Sequence, residues 1–589
     1  MLAALSEVLL RAGSLAEVYV TLGEWGVSGR YADAIVKYFG ARTIERLTED
    51  PYKHLLDVPM YGWKTAENIA QHLGIVPGDP RRITAGIAFG VHNATWAEGH
   101  TWLSPHGAAV AGMRLLGCSL EEVTPHVEDA IETGRIVRRD QQLYPTSLDR
   151  AEELIASEIF SRIGRPGLVN LQRTAGMFEG TTLNYKQLNA VLQGLTCPIS
   201  LLTGGPGTGK TTCLKTLIEV AQRLGLQVTC MAPTGKAAAR MAEATGYPAT
   251  TIHSRLHLVP GEMSGEPLSE PLSGIVVVDE VSMLDTQLAA AMLRRISLGA
   301  QLLLVGDPDQ LPSVGPGAIL RDLILAGVLR RTHLDQVFRN DKGIAVNAKN
   351  IRDGNTIANL HDCQLISLPT PQSGAEYLID QLEAFEQVGI PRSDVLVLTP
   401  TNGGPTGRIA LNAALQSTVN AHEAGRGITQ YVGTSADPDG TLRKRTEEIR
   451  TGDPVMVTRN NKELGVFNGQ VGVVTGLQPP RAIVVSIDGD EVIFAGDDKH
   501  SLTLAYALTG HKAQGSEAPF VLCPVFPSLV LCREWVYTTL TRAKECVIFI
   551  GDLDALQGAL RVERASERRT GLVARLTLSA VYADEGALR

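Results

Sequence analysis

A chain of 589 residues with 44% hydrophobic content has material for three or four domains with full cores. Its net charge of −9 excludes a generally basic nucleic-acid coat and leaves a local basic groove open, because the placement of charge decides the field. No apolar stretch is long enough to cross a bilayer, Glu7 and Arg11 interrupt the apolar N-terminus, and the eight cysteines are scattered without CxxC or zinc-ligand spacing. These features read as a cytosolic protein with buried, reduced thiols and neither leader nor membrane span.

Residues 1–75 read as short helices. Two segments are alike, WGVSGRYADAIVKYFG (25–40) and PMYGWKTAENIAQHLG (59–74). Each has a Gly-containing tight turn, an Ala at a fixed offset and an amphipathic helix. They resemble the helix-hairpin-helix module, whose turn amides and helix N-terminus hold a DNA phosphate without reading sequence. Each departs from the usual two-glycine turn, with Gly26-Val27-Ser28 in the first and Met60-Tyr61-Gly62 in the second. A packing module without DNA contact has the same pattern. A Gly-Asp-Pro break at 78–80 opens a second helical region to about 170. It has helical periodicity over 84–104 and 148–164, and a short strand or hairpin at LYPTSL between them, which fits a small winged-helix-like unit.

From about 183, apolar runs alternate with helical stretches: ISLLTG, QVTCMAP, GIVVVDE, AQLLLVG, DVLVLTP, PFVLCPV and CVIFIGD. That order predicts parallel sheets with helices on both faces and sites at the carboxyl ends of the strands. Two stretches interrupt it. Residues 255–273, rich in Pro, Gly and Ser, fit a projecting hairpin. Residues 452–495 hold four short alternating strands and read as a small β-barrel inserted in the second α/β domain.

The run GGPGTGKTT, 204–212, lies between an apolar strand and a helical stretch, the context a phosphate-binding loop needs. Gly205, Pro206, Gly207, Thr208 and Gly209 would turn backbone amides onto the phosphates of ATP. Lys210 would reach the β- and γ-phosphates, and Thr211, followed by Thr212, would hold Mg²⁺. VVVDE ends in Asp279 and Glu280. Alone these are two solvated acids at a strand end. Beside the loop, Asp279 reads as an Mg²⁺ holder acting through water and Glu280 as the acid that polarises an attacking water. Gln310, in LLLVGDPDQLPSVGPG, is placed to sense the γ-phosphate. Arg339 and Arg542 are candidate donors to a phosphoryl group in transfer, and if they come from the second α/β domain the ATP lies in a cleft between two domains.

The order GGPGTGKTT, APTGKAAAR, TTIHSRL, VVVDEVSMLD, LLLVGDPDQLPS, VFR, AYALTGHKAQGSE and VYTTLTRAK resembles a superfamily 1 helicase, and within it the RecD-like family in its long, self-standing bacterial form. The resemblance is dense from 183 to 550 and looser before 170. It implies an α/β fold with two RecA-like motor domains, 171–345 with the hairpin insert at 255–273 and 346–589 with an SH3-like insert at about 428–500. Before them come a helix-hairpin-helix-like domain at 1–75 and a winged-helix-like domain at 76–170. A further N-terminal domain of the family is not found, so the chain is expected to be a truncated form. The resemblance also implies adenine reading by Gln187 and a ribose contact by Glu517. It implies single-stranded DNA contacts by Pro233, Thr234, His253, Thr401, Asn402, His511, Gln514 and Ser516. Gly510 and Ala513 stand where the family more often has Val and Ser. The implied activity is ATP- and Mg²⁺-dependent 5′→3′ movement on single-stranded DNA with duplex unwinding at single/double-strand junctions, by a monomer in the bacterial cytoplasm, in repair or recombination. A translocase without strand separation would share the ATPase residues, and a passive DNA-end scaffold would not need them complete.

Overall fold

The computed structural model describes residues 15–27, 29–55, 62–174, 176–178, 180–258, 270–337, 343–436, 442–461, 463–478, 481–487 and 489–577. Ser28, Met60 and Tyr61 of the two glycine turns, the central part of the expected hairpin, and Arg339 lie outside them.

The N-terminal region is helical: 15–24, Arg30–Phe39, Thr43–Glu49, Pro51–Leu55, Trp63–His72, Pro80–Glu98 and Pro105–Leu116. The Asp79 side chain caps helix Pro80–Glu98 by accepting from the Arg81 amide, with Pro80 at the first position, and Gly99 ends the helix at φ 73°. Small residues let this helix meet Pro105–Leu116 at backbone distance. A Cβ on Gly90 would lie 2.8 Å from the Ala111 carbonyl, and one on Gly112 would lie 2.9 Å from Ile87. One apolar cluster runs from Val18 to Leu143, across the Gly-Asp-Pro break without interruption.

Strands β1 (Ile136–Arg139) and β2 (Gln142–Pro145) pair as an antiparallel hairpin, which lies mostly before LYPTSL: its Leu143–Pro145 is in β2, and its Thr146–Leu148 already opens the next helix. Helix Thr146–Ile163 then leaves the N-terminal core. Its Ile155 and Ile159 are buried with residues of the first large sheet. Its fully buried Arg162 donates to the carbonyls of Leu293 (3.3 Å), Ile296 (2.7 Å) and Ser297 (2.7 Å). These carbonyls lie at and just beyond the end of helix Thr286–Leu293, where a buried donor satisfies them.

The first large sheet holds β3 (Ile199–Gly204), β4 (Val228–Ala232), β5 (Ala249–Thr251), β6 (Ile275–Val278), β7 (Gln301–Gly306) and β8 (Arg330–Leu334). Their order is β5-β4-β6-β7-β3-β8 and every pair is parallel. The second contains β9 (Cys363–Ser367) and β10 (Val395–Thr399) and is completed after an insertion. The insertion starts with a long hairpin, β11 (Ile428–Ala436) with β12 (Leu442–Ile449). An antiparallel ladder follows, from β13 (Pro454–Val457), β14 (Val471–Gln478), β15 (Ala482–Ile487), β16 (Asp490–Ala495) and β17 (Leu502–Leu504). The ladder runs β16-β15-β14-β13-β17, and among the described residues no pairing joins its two edges. With β18 (Ala507–Thr509), β19 (Ala518–Val525) and β20 (Ala543–Gly551), the second parallel sheet has the order β18-β10-β19-β20-β9.

Candidate functional site

The loop after β3 enters helix Lys210–Arg223 through Gly207 (φ 71°) and Gly209 (φ 88°), conformations that glycine adopts without a Cβ penalty. The Thr208 hydroxyl donates to the Gly205 carbonyl at 2.8 Å and is buried inside the loop. The Lys210 ammonium donates to the carbonyls of Gly204 (2.6 Å) and Gly205 (2.9 Å), which fixes it over the loop.

A cleft of about 530 Å³ opens in front of this loop, within the ~300–1,000 Å³ usual for small-molecule sites. Gln187, Gly205, Pro206, Gly207, Gly209, Lys210, Thr211, Thr212, Asp279, Glu280, Gln310, Glu517 and Arg542 line it, together with Arg240. Residues far apart in sequence and on both large sheets thus share one cavity. Glu280 sits at φ 55°, left-handed backbone that a non-glycine residue enters at a cost, and the turn sets both acids on the cleft wall. Asp279 accepts from the Glu280 amide at 2.8 Å. Burial and then the neighbouring Glu280 raise its carboxyl above the usual range, against the pull of Lys210.

Gln310 connects this wall to the second sheet. Its side-chain amide donates to Asp307 Oδ2 at 3.2 Å, and its buried side-chain oxygen has no partner among the described residues. Tyr537 OH donates to the same Asp307 oxygen at 3.2 Å. The Leu311 amide donates to Thr538 Oγ1 at 2.9 Å, and Gln514 Nε2 donates to the Leu311 carbonyl at 3.0 Å. Helix Arg533–Leu540, which carries Tyr537 and Thr538, leads into Arg542. The Arg542 guanidinium is buried and donates to the carbonyls of Thr538 and Ser516, both at 3.2 Å. Burial lowers its pKa, while Glu280 across the cleft opposes that shift. Glu517 pairs with Arg240, which stands on helix Gly235–Thr245 of the first sheet. Gln187 is occupied as a helix cap: its Oε1 accepts from the Asn184 amide at 3.1 Å, and its Nε2 donates to the Thr208 carbonyl at 3.3 Å.

The residues expected on a DNA strand divide into two groups. Pro233, Thr234, His253, Thr401, Asn402 and His511 are partly exposed. The Thr234 side chain also caps helix Gly235–Thr245, and Thr401 Oγ1 donates to the Gly403 carbonyl at 2.9 Å. Burial, then Arg568 and Arg564, push the His511 imidazole down to about 4, so it is neutral at physiological pH. Gln514 and Ser516 are buried. The Gln514 side chain holds Leu311 and so joins the two sheets, and the Ser516 carbonyl holds Arg542 within the second.

A groove between the insertion and the second sheet brings together cations that, apart from Lys512, lie outside the sequence motifs. Arg408, Arg445, Arg459, His500 and Lys512 line it beside Asn402 and Thr458. Asn402 Oδ1 accepts from Arg408 Nε at 2.9 Å. Burial first, and then each a neighbouring arginine, lower Arg408 and Lys512, as expected of cations packed together; Glu447 opposes the shift in Arg408. These residues come from separate segments, and no local pattern in the sequence announces Arg408, Arg445, Arg459 or His500. Phe467 of the insertion rests on Gly235 of the first sheet's domain, where a Cβ would lie 3.1 Å from the Phe467 Cβ.

Two parallel sheets meeting over one phosphate loop, with a basic groove beside them, define a nucleotide-driven motor. A family model described as an AAA domain matches residues 182–366. One described as the ATP-dependent RecD2 DNA helicase HHH domain matches 12–102, and one described as the UvrD-like helicase C-terminal domain matches 504–550. The ATP-dependent RecD2 DNA helicase of Deinococcus radiodurans is 33% identical over 576 residues, covering 94% of this chain and 76% of its own. The RecBCD enzyme subunit RecD of Mycobacterium tuberculosis is 31% identical over 497 residues, covering 74% and 80%. A solved structure of Pif1 helicase from Bacteroides with ADP-AlF3 and single-stranded DNA aligns over 69% of this chain and 98% of its own, at 20% identity and a TM-score of 0.40. The chain belongs to the RecD family of ATP-dependent superfamily 1 DNA helicases.

Proposed function

We propose that this chain hydrolyses ATP while moving 5′→3′ on single-stranded DNA and unwinds duplex at single/double-strand junctions, as a monomer in the bacterial cytoplasm, in repair or recombination. The observation that carries the reading is the single cleft lined from both motor sheets, by Lys210, Asp279, Glu280 and Gln310 on one side and Glu517 and Arg542 on the other. A nucleotide bound there would be felt by both sheets, and each hydrolytic cycle would change how they meet. Among the described residues no helix is long and apolar enough to cross a membrane.

Lys210 holds the terminal phosphates and Glu280 polarises the attacking water. Arg542, with Arg339, supplies donors where charge redistributes. The Thr211 hydroxyl and Asp279 carboxylate line the cleft as hard oxygen donors that fit Mg²⁺, which would neutralise phosphate charge. Gln310, with its unpartnered buried oxygen, senses the γ-phosphate and passes its state through Asp307–Tyr537 and Leu311–Thr538. Gln187 reads adenine by exchanging its present partners for the base.

The strand lies over Pro233, Thr234, His253, Thr401, Asn402 and His511, with Gln514 and Ser516 beneath, and continues through the basic groove. Hydroxyl and amide contacts are supplemented there by arginine and lysine, so the grip is more salt-dependent than the motif residues alone suggest. Arg459→Ala is expected to weaken binding alike for all sequences and to reduce the slope of log K against log salt by roughly 0.7, the share of one single-strand phosphate contact. Titration of labelled oligo-dT and a mixed-sequence oligonucleotide at several salt concentrations measures it.

Duplexes with a 5′ or a 3′ single-stranded tail test the whole proposal. Unwinding of the 5′-tailed duplex alone is expected. Unwinding only from a 3′ tail would reverse the polarity, and ATP turnover with no separation of either would leave a translocase.

A further inference from the structure

Beyond Val562 the chain leaves the second motor sheet and crosses the molecule. At its start it is held by helix Arg533–Leu540: the Arg533 guanidinium donates to the Leu560 carbonyl, and the Glu534 carboxylate accepts from the amides of Arg564 (3.2 Å) and Ala565 (2.6 Å). At its far end Leu572 and Leu576 are buried beside helix Thr146–Ile163. Arg575 pairs there with Asp149 at 2.6 Å and Glu152 at 3.3 Å, and the Gly571 amide donates to Glu152 at 3.1 Å. Between these anchors the Arg569 carbonyl accepts from the Thr101 amide at 2.8 Å, beside the end of helix Pro80–Glu98.

The midpoint of this crossing is Arg568, and both terminal nitrogens of its guanidinium donate to one loop. It donates to the carbonyls of Ser313, Gly315 and Gly317 and to the Ser313 hydroxyl. That loop is the continuation of Gln310 and Leu311. The same loop touches the N-terminal region, where the Gly317 amide donates to the Gly99 carbonyl at 2.9 Å. Gly99 is itself packed on the guanidinium, with 2.5 Å between a built Cβ and Arg568 Cζ. Helix Arg533–Leu540 thus holds the front of the loop through Thr538, and Arg568 with Gly99 holds its back. When the two sheets separate, the Thr538 contact lies on the moving partner, whereas the Arg568 contact is tied to the N-terminal region through Arg569 and to helix Thr146–Ile163, packed on the first sheet, through Arg575.

We propose that residues 562–577 are a strap that ties the N-terminal region to the γ-phosphate-sensing loop, and that Arg568 is the positioning residue that keeps this loop set for hydrolysis through the motor cycle. The proposal rests on the reading of Gln310 as the γ-phosphate sensor. Arg568 touches neither nucleotide nor DNA on this view. It acts through loop 313–317, so its loss reduces turnover and spares nucleotide binding.

The test uses the full chain, with ATP turnover measured with and without oligo-dT and thermal unfolding followed in parallel. Arg568→Ala is expected to lower kcat with oligo-dT roughly tenfold, within the usual range of couplings between linked sites, with KM for ATP within about twofold. Arg568→Lys keeps the charge and loses the fork over three residues, and an intermediate kcat is expected. Gly99→Ala displaces the guanidinium from the opposite side. It should lower kcat in the same direction and add little in an Arg568→Ala background, the signature of one shared contact. If Arg568→Ala does not fold, Arg568→Lys and Gly99→Ala carry the test alone. Wild-type kcat in the folded variants, additive losses in the double variant, a raised KM at unchanged kcat, or a kcat loss that tracks lost thermal stability would each overturn the proposal. Gln310→Ala separates the two readings. If it keeps wild-type kcat, the sensor reading itself fails; if it is impaired while Arg568→Ala is not, only the strap's role fails.

Discussion

Glu280→Gln is expected to abolish DNA-stimulated ATP hydrolysis while single-stranded DNA still binds. The substitution keeps the size of the side chain and removes its capacity to take a proton from water, a contribution worth roughly 10²–10⁴-fold in rate. The fold invests strain at this position, since Glu280 holds a left-handed backbone at the end of β6. Lys210→Gln is expected to do the same by another route. Its ammonium now bonds two loop carbonyls, and it is the cation available to the terminal phosphates. Both residues stand in the cleft and apart from the basic groove, so strand binding survives in both. Steady-state ATPase assays with oligo-dT decide it: turnover within about tenfold of the unmodified chain in either variant would sink the assigned role.

Arg542→Ala should lower kcat on the order of 10³-fold or more, with a far smaller change in KM for ATP. The guanidinium is already buried and oriented by the Thr538 and Ser516 carbonyls before any nucleotide arrives. Such a preset donor costs no reorganisation when charge develops, so in the proposed role it would act on the transition state more than on binding. Arg542→Lys should recover little, because a point charge cannot reproduce the fork. A variant in which KM rises and kcat holds would make Arg542 a ground-state binder.

How much of this was legible in the sequence follows from how local each signal is. The interior strands of both sheets are buried on two faces and read as unbroken apolar runs. The four strands that such runs do not reveal are β5, β8, β9 and β18, and all four are sheet edges. Edge strands such as ATT and RRTHL carry polar residues where a central strand carries Val and Leu. The phosphate loop was legible because its glycines, lysine and threonine act within nine consecutive positions. The basic groove was not, because Arg408, Arg445, Arg459 and Lys512 meet only after the insertion folds back on the second sheet. Helix Thr146–Ile163 was legible as a helix but not in its allegiance, since amphipathic spacing says that a face is buried and not against what. The burial of Gln514 and Ser516 was likewise invisible, as polar residues in a motif look alike whether they face a ligand or a neighbouring domain.

The contact between Phe467 and Gly235 joins the insertion to the first sheet's domain, so any motion that parts the two has to lift this ring off the glycine. One aromatic ring on one glycine is worth about 1.5–3 kcal/mol at full burial, and this ring is only partly buried. The residue that permits this approach is a glycine, and a side chain in its place would hold the ring away.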